Sequence, residues 1–117
     1  MSLFDELREL GVDIDDGLKR LGGNESLYNR LLGSFVKTMK EQIVEPDFDC
    51  TDYTGTTERA HTIKGIAGNL SITPVYEAYT DIVNLLRGGK PEEAKKILVD
   101  IIPVQETIMQ CIEKHMQ

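Results

Sequence analysis

The chain has 117 residues, enough for one hydrophobic core and too few for two. Its net charge of -7 argues against a nucleic-acid partner, where binding depends on neutralising phosphates with Lys and Arg. Trp is absent and aromatics make up only 6% of the residues, so the core must be built from Leu, Ile, Val and Met.

Leu3, Phe4, Leu7 and Leu10, then Ile14, Leu18 and Leu21, stand at helical spacing ahead of a Gly22-Gly23 break. They predict short pieces lying across the end or side of a larger bundle. Residues 1–12 read as an N-terminal extension and 13–117 as the core of a single domain. From Tyr28 the apolar residues run Tyr28, Leu31, Leu32, Phe35, Val36, Met39 and Ile43, a three-four step along one helical face. Asn24 can cap that helix, and Glu25 puts negative charge at the positive end of its dipole.

Pro46 to Thr51 forms a polar break, after which a helix is expected to start near Asp52 or Thr54 and run to about Leu70. Thr73-Pro74 opens the next, with Thr as cap and Pro at the first helical position. It carries Val75, Ala78, Tyr79, Ile82, Leu85 and Leu86 and stops at Gly88-Gly89. The last helix opens on Pro91-Glu92-Glu93 and continues through Ala94, Ile97, Leu98, Ile101, Val104, Ile108, Cys111 and Ile112, with a kink predicted at Pro103. No stretch alternates as a strand would. Four substantial helices with short connections predict an all-α protein, an antiparallel four-helix bundle with a short additional N-terminal helical segment. All four can bury their apolar faces within one chain, so a monomer is expected.

Cys50 and Cys111 lie far apart, match no CxxC or zinc pattern, and are expected to be reduced, partly buried thiols. No ligand spacing joins them to His61 and His115, so no metal site is expected, and His115 reads as a frayed surface residue. No apolar run approaches the roughly 20 residues that span a bilayer. Met1-Ser2-Leu3 lacks the basic start of a signal peptide, and the expected location is the cytoplasm, away from membranes.

The stretch from Arg59 to Leu70 carries the chemistry. At about 100° per residue, His61, Lys64, Gly65, Gly68 and Asn69 fall on one face of a helix. Thr56, Ala60, Ile63, Ala67 and Leu70 fall on the other, which can pack into a bundle. Glycine inside a helix costs about 1 kcal/mol relative to Ala. Two of them beside a histidine suggest that something approaches the backbone closely. Packing against a neighbouring helix is the plain alternative, and two glycines opposite the apolar stripe favour an incoming partner. An imidazole with an unperturbed pKa of about 6.5 is a competent nucleophile near neutrality. Lys64, one turn along, can pair with a phosphoryl group once it is attached. Asn69 could orient a side chain or steady the helix end.

The run His61-Thr62-Ile63-Lys64-Gly65-Ile66-Ala67-Gly68-Asn69-Leu70 resembles the signature of the histidine-containing phosphotransfer (HPt) domain family, in which His is followed by Ser or Thr, an aliphatic residue, Lys and Gly. Upstream, Gly17-Leu18-Lys19-Arg20-Leu21-Gly22-Gly23-Asn24 with Leu27-Tyr28 is similar to the N-terminal part of the same family. The resemblance implies a phosphocarrier without kinase activity. It takes a phosphoryl group from a receiver-domain aspartate onto His61 and passes it to another receiver. It further implies that Lys64 stabilises the phosphoryl charge, and that Gly65 and Gly68 clear space for the receiver, with Asn69 beside them. Arg59 and Lys64 would supply local positive charge. The implied partners are response-regulator receiver domains and a sensor histidine kinase. No cofactor is implied for this chain, since Mg2+ belongs to the receiver. Two departures stand out: Ser71 occupies a place where the family often has Gly, and Ile66 is bulkier than usual.

Gly88-Gly89-Lys90 lacks the spaced glycines and the Ser or Thr of a phosphate-binding loop, which removes the ground for a kinase. The rival expectations are a degenerate HPt-like module that binds partners without transferring phosphate, and a structural helical module in which His61 is incidental. General-base catalysis by His61 lacks an orienting carboxylate in the motif.

Overall fold

Six helices carry residues 2–116, the part of the chain described by the computed structural model, and none of those residues forms a strand. They are α1 (Leu3–Glu9), α2 (Ile14–Arg20), α3 (Glu25–Glu41), α4 (Thr54–Asn69), α5 (Thr73–Arg87) and α6 (Pro91–His115). The protein is an all-helical bundle. Among the four long helices, α4 packs on α5, α5 on α6, α6 on α3 and α3 on α4, so the contacts close a ring. The two short helices lie against this ring, α1 on α6 and α2 on α3.

Local signals account for most boundaries. The Asn24 side chain accepts from the Leu27 N–H at 3.0 Å, satisfying one free donor of the first turn of α3. Ser2 and Asp13 do the same for α1 and α2. Helix α5 ends where Gly89 takes a φ of +74°, so that Lys90 N–H can bond back to the Leu85 carbonyl. Thr73 differs from expectation. It is the first residue of α5 and caps nothing, since its hydroxyl donates to the Ser71 carbonyl at 3.2 Å. Pro103 lies within a continuous α6. Its missing N–H frees the carbonyl of Val99, four residues back, and that residue is 56% exposed, where water can satisfy it.

The core is aliphatic with two deep tyrosines. Leu32, Ile82, Leu98 and Ile108 are fully buried, as are Tyr28 and Tyr79. Tyr79 keeps its hydroxyl satisfied by donating to Gln105 Oε1 at 2.7 Å, which links α5 to α6. Leu7 of α1 and Val12 join the same core. Two residues on the predicted apolar faces do not. Ile43 falls beyond the end of α3 and is exposed, and Val104 looks outward beside Pro103. The polar break between α3 and α4 is pinned by buried Val44 and Phe48, the latter under the ammonium of Lys95 at 4.9 Å. Both cysteines are free thiols, with Cys111 buried and Cys50 half-buried.

Candidate functional site

Helix α4 divides its faces as the spacing predicts. Thr56, Ala60, Ile63, Ala67 and Leu70 are buried, while His61, Gly65 and Asn69 are exposed and Lys64 and Gly68 half-buried. The helix has no side-chain cap and begins in a threonine-rich turn, so packing of Ala60, Ile63 and Ala67 holds it more than local propensity does. His61 stands on its outer face, free of any hydrogen bond or ion pair within the described residues.

His61, Lys64, Gly65, Gly68 and Asn69 line one side of an open cavity of about 370 Å³. The opposite side comes from elsewhere: Asp16 and Arg20 of α2, then Ser71 and Tyr76. On its other flank His61 borders a second concavity that contains Arg87 at the end of α5. The positive charge around the histidine therefore comes from Lys64, Arg20 and Arg87, with Asp16 and Glu58 as the carboxylates of the same two spaces. Arg59 does not border either space. It sits two residues before His61, about 200° around the helix, and its guanidinium turns toward Thr56 at 3.4 Å. Its Nε is buried without a partner.

The two glycines of the motif have different reasons. A Cβ placed at Gly65 would meet nothing within 4 Å, so the space above it is open to an incoming molecule. One placed at Gly68 would lie 2.9 Å from two ring carbons of Tyr76, so its missing side chain makes room for the protein's own α5. Helix packing thus gives Gly68 a reason of its own, although it also lines the cavity beside His61. Gly65→Ala is accordingly expected to raise stability by about 1 kcal/mol through helix propensity. Gly68→Ala should gain none of this, or lose stability, because the Tyr76 ring must move. Thermal melts of the two variants side by side check this.

Arg20 is held in place by a short relay. Its Nε donates to Asp16 Oδ2 at 2.9 Å, and the same oxygen accepts from the Ser71 hydroxyl at 2.5 Å. Ser71 follows α4 with a φ of +55°, a left-handed conformation that costs a non-glycine residue about 1 kcal/mol. This is the position that favours Gly, and here the serine hydroxyl ties α2 to α4. The Ser71 hydroxyl, and after it the Arg20 guanidinium, holds the Asp16 carboxyl below its ordinary range. A carboxyl depressed by folding contributes stability that is present above about pH 3.9 and lost as pH falls through the folded pKa. Asp16→Asn should therefore flatten the acid limb of the stability profile below about pH 4. Acid titration followed by circular dichroism reads it.

Asp16, Arg20 and Ser71 were not identifiable as site residues from spacing, because α2 is brought to α4 only by tertiary contact. The sequence hint was the Asp16–Arg20 pair, four apart on one helix face. Comparison with known protein families, with characterised proteins and with solved structures gives no match for this chain.

Proposed function

We propose that this chain is a histidine phosphotransfer module of a two-component phosphorelay. His61 accepts a phosphoryl group from the aspartyl phosphate of one receiver domain and returns it to the aspartate of another. The observation that carries this reading is the arrangement on α4: an exposed His61 without a partner among the described residues, Lys64 one turn along, and open space above Gly65. Each feature answers a need of the reaction. A free imidazole nitrogen must reach the phosphorus in line with the leaving oxygen, which requires that the partner's loops come down onto the helix. Gly65 leaves them room.

In the transfer, the imidazole lone pair forms the N–P bond as the P–O bond to the receiver's aspartate breaks, and the carboxylate leaves. The second transfer reverses these roles. Lys64 and Arg20 offer charge-assisted hydrogen bonds to the phosphoryl oxygens while the group sits on His61. Mg2+ is the receiver's contribution, and this chain supplies no nucleotide site and no kinase activity. Four long helices contacting in a ring, with α4, α5 and α6 joined by connections of three residues, suit the antiparallel four-helix bundle that the resemblance implies. The module is read as a cytoplasmic monomer whose partners are receiver domains and a sensor histidine kinase. A degenerate module that only docks receivers would need the same face without the acceptor. The joint presence of His61 and Lys64 favours transfer.

The test is direct. Receiver domains phosphorylated by a small-molecule donor with Mg2+, freed of that donor, are mixed with the folded chain. An acid-labile, base-stable phosphate on the chain is the expected product. Absence of transfer across a broad receiver panel that includes those of the same genome would sink the proposal and leave the docking module in its place.

A further inference from the structure

Far from His61 in sequence, the contact between α1 and the end of α6 brings three metal-binding groups together. Glu6, Cys111 and His115 each place one ligating atom within 4.8 Å of the others, the sole such group of His, Cys, Asp or Glu among the described residues. Cys111 and His115 are four residues apart on α6, so their side chains leave the same face one turn apart. Glu6 meets them from α1. Its Oε2 lies 3.7 Å from the Cys111 sulfur and also pairs with His115 Nε2, while its Oε1 accepts from Lys114 Nζ at 2.9 Å. His115, exposed at the end of α6, is thus paired with Glu6.

The division of that carboxylate is informative. One oxygen turns toward the sulfur and the imidazole. The other is fixed by an ammonium that is no ligand itself, as outer-shell groups fix metal-bound carboxylates. An ion-pair cluster would need only Glu6, Lys114 and His115. The Cys111 thiol joins them by donating to the same oxygen at 3.7 Å, which adds a sulfur to the nitrogen and oxygen already gathered there. Beside two of the three groups, Glu6 and Cys111, a cavity of about 370 Å³ that Glu9 also borders leaves room for a further ligand such as water.

We infer that Glu6, Cys111 and His115 form a binding site for a transition-metal ion of the Zn2+ class. One sulfur, one imidazole nitrogen and one carboxylate oxygen suit Zn2+ or Co2+, whereas Ca2+ and Mg2+ take sets of oxygens. Three protein ligands with space for a fourth match a four-coordinate ion. Binding exchanges the Cys111 thiol proton, and any proton on His115, for metal–ligand bonds and releases them to water, with no change of oxidation state. The ion would fasten the N-terminal helix to the last turn of α6. The spacing of the Cys and His residues did not announce this site because Glu6 lies 105 residues from Cys111.

Co2+ titration of the untagged chain reads the site without reference to phosphotransfer. A Cys50→Ser background leaves Cys111 as the lone thiol. The expected result is a sulfur-to-cobalt charge-transfer band with the intense visible bands of four-coordinate Co2+, saturating at one ion per chain. Zn2+ should displace it and raise the Tm. Cys111→Ser should remove the charge-transfer band, and Glu6→Gln and His115→Gln should each weaken binding by more than about tenfold. His61→Gln should leave it unchanged. The decisive spectrum is that of the folded Cys50→Ser chain, so a variant that misfolds cannot shelter the inference. A weak spectrum without a sulfur band, or a band that survives Cys111→Ser in folded protein, overturns it.

Discussion

His61→Gln is expected to abolish phosphoryl acceptance while leaving the Tm within experimental scatter. The imidazole is exposed and makes no hydrogen bond within the described residues, so its replacement removes no packing and strands no partner. Substitutions at such surface positions usually change stability by less than about 0.5 kcal/mol. The chemistry, in contrast, has no second nucleophile to fall back on, because His115 is engaged with Glu6 at α6's end and does not border the cavity. Incubation with a phosphorylated receiver, followed by detection of acid-labile phosphate, should show none on the variant. Lys64→Ala in the same assay should slow transfer by about tenfold without eliminating it, the scale of one charge-assisted hydrogen bond. Equal labelling of His61→Gln and wild type would move the acceptor elsewhere and end the present assignment. Loss of labelling with loss of helicity would instead show that His61 carries structure.

Gly17→Ala is expected to cost about 3 kcal/mol, a fall in Tm on the order of 10 °C. A Cβ at this buried position would stand 2.6 Å from the Tyr28 ring and 2.8 Å from the Leu70 carbonyl oxygen. The oxygen is backbone and cannot swing aside. It also accepts from the Tyr28 hydroxyl at 2.7 Å, so a shift of α2 either overpacks the junction or breaks a buried hydrogen bond. Burial pushes the pKa of the Tyr28 hydroxyl well above its ordinary value, as suits a proton retained for that bond. Tyr28→Phe separates the two contributions, since it removes the hydrogen bond and adds no atoms. It should destabilise less than Gly17→Ala. Urea melts of both variants provide the comparison. The junction also matters for the site, because α2 delivers Asp16 and Arg20 to the cavity that His61 borders. A milder disturbance of α2 should therefore appear first as weaker acid dependence and only later as unfolding.

The legible part of the fold was the part written in periodicity. Asn24 capping α3, the double glycine ending α5, and the apolar stripe Ala60, Ile63 and Ala67 on α4 depend on neighbours within a few residues. The errors fell where a face is decided by what packs on it. Ile43 continued the three-four step of α3, yet the helix ended before it. Val104 continued that of α6, yet no helix covers that side next to Pro103. Thr73 had the composition of a cap, but the positive φ at Ser71 had already turned the chain, and its hydroxyl found the Ser71 carbonyl.

The same division runs through the candidate site. His61, Lys64, Gly65, Gly68 and Asn69 share one helix face by arithmetic alone, so the sequence determined both the motif and its grouping. It could not separate the two glycines, because the difference is a Tyr76 ring supplied by another helix. Nor could it replace Arg59 by Arg20 as the second positive charge, since one is near in sequence and the other near in space. The pairing of Glu6 with Cys111 and His115 is the extreme case, joining the two ends of the chain. Helical spacing encodes which side chains share a face, over a turn or two. Which faces meet is decided only when long-range burial folds the helices against one another, and that decided the cavity's far wall, the relay from Ser71 to Arg20, and the α1–α6 cluster.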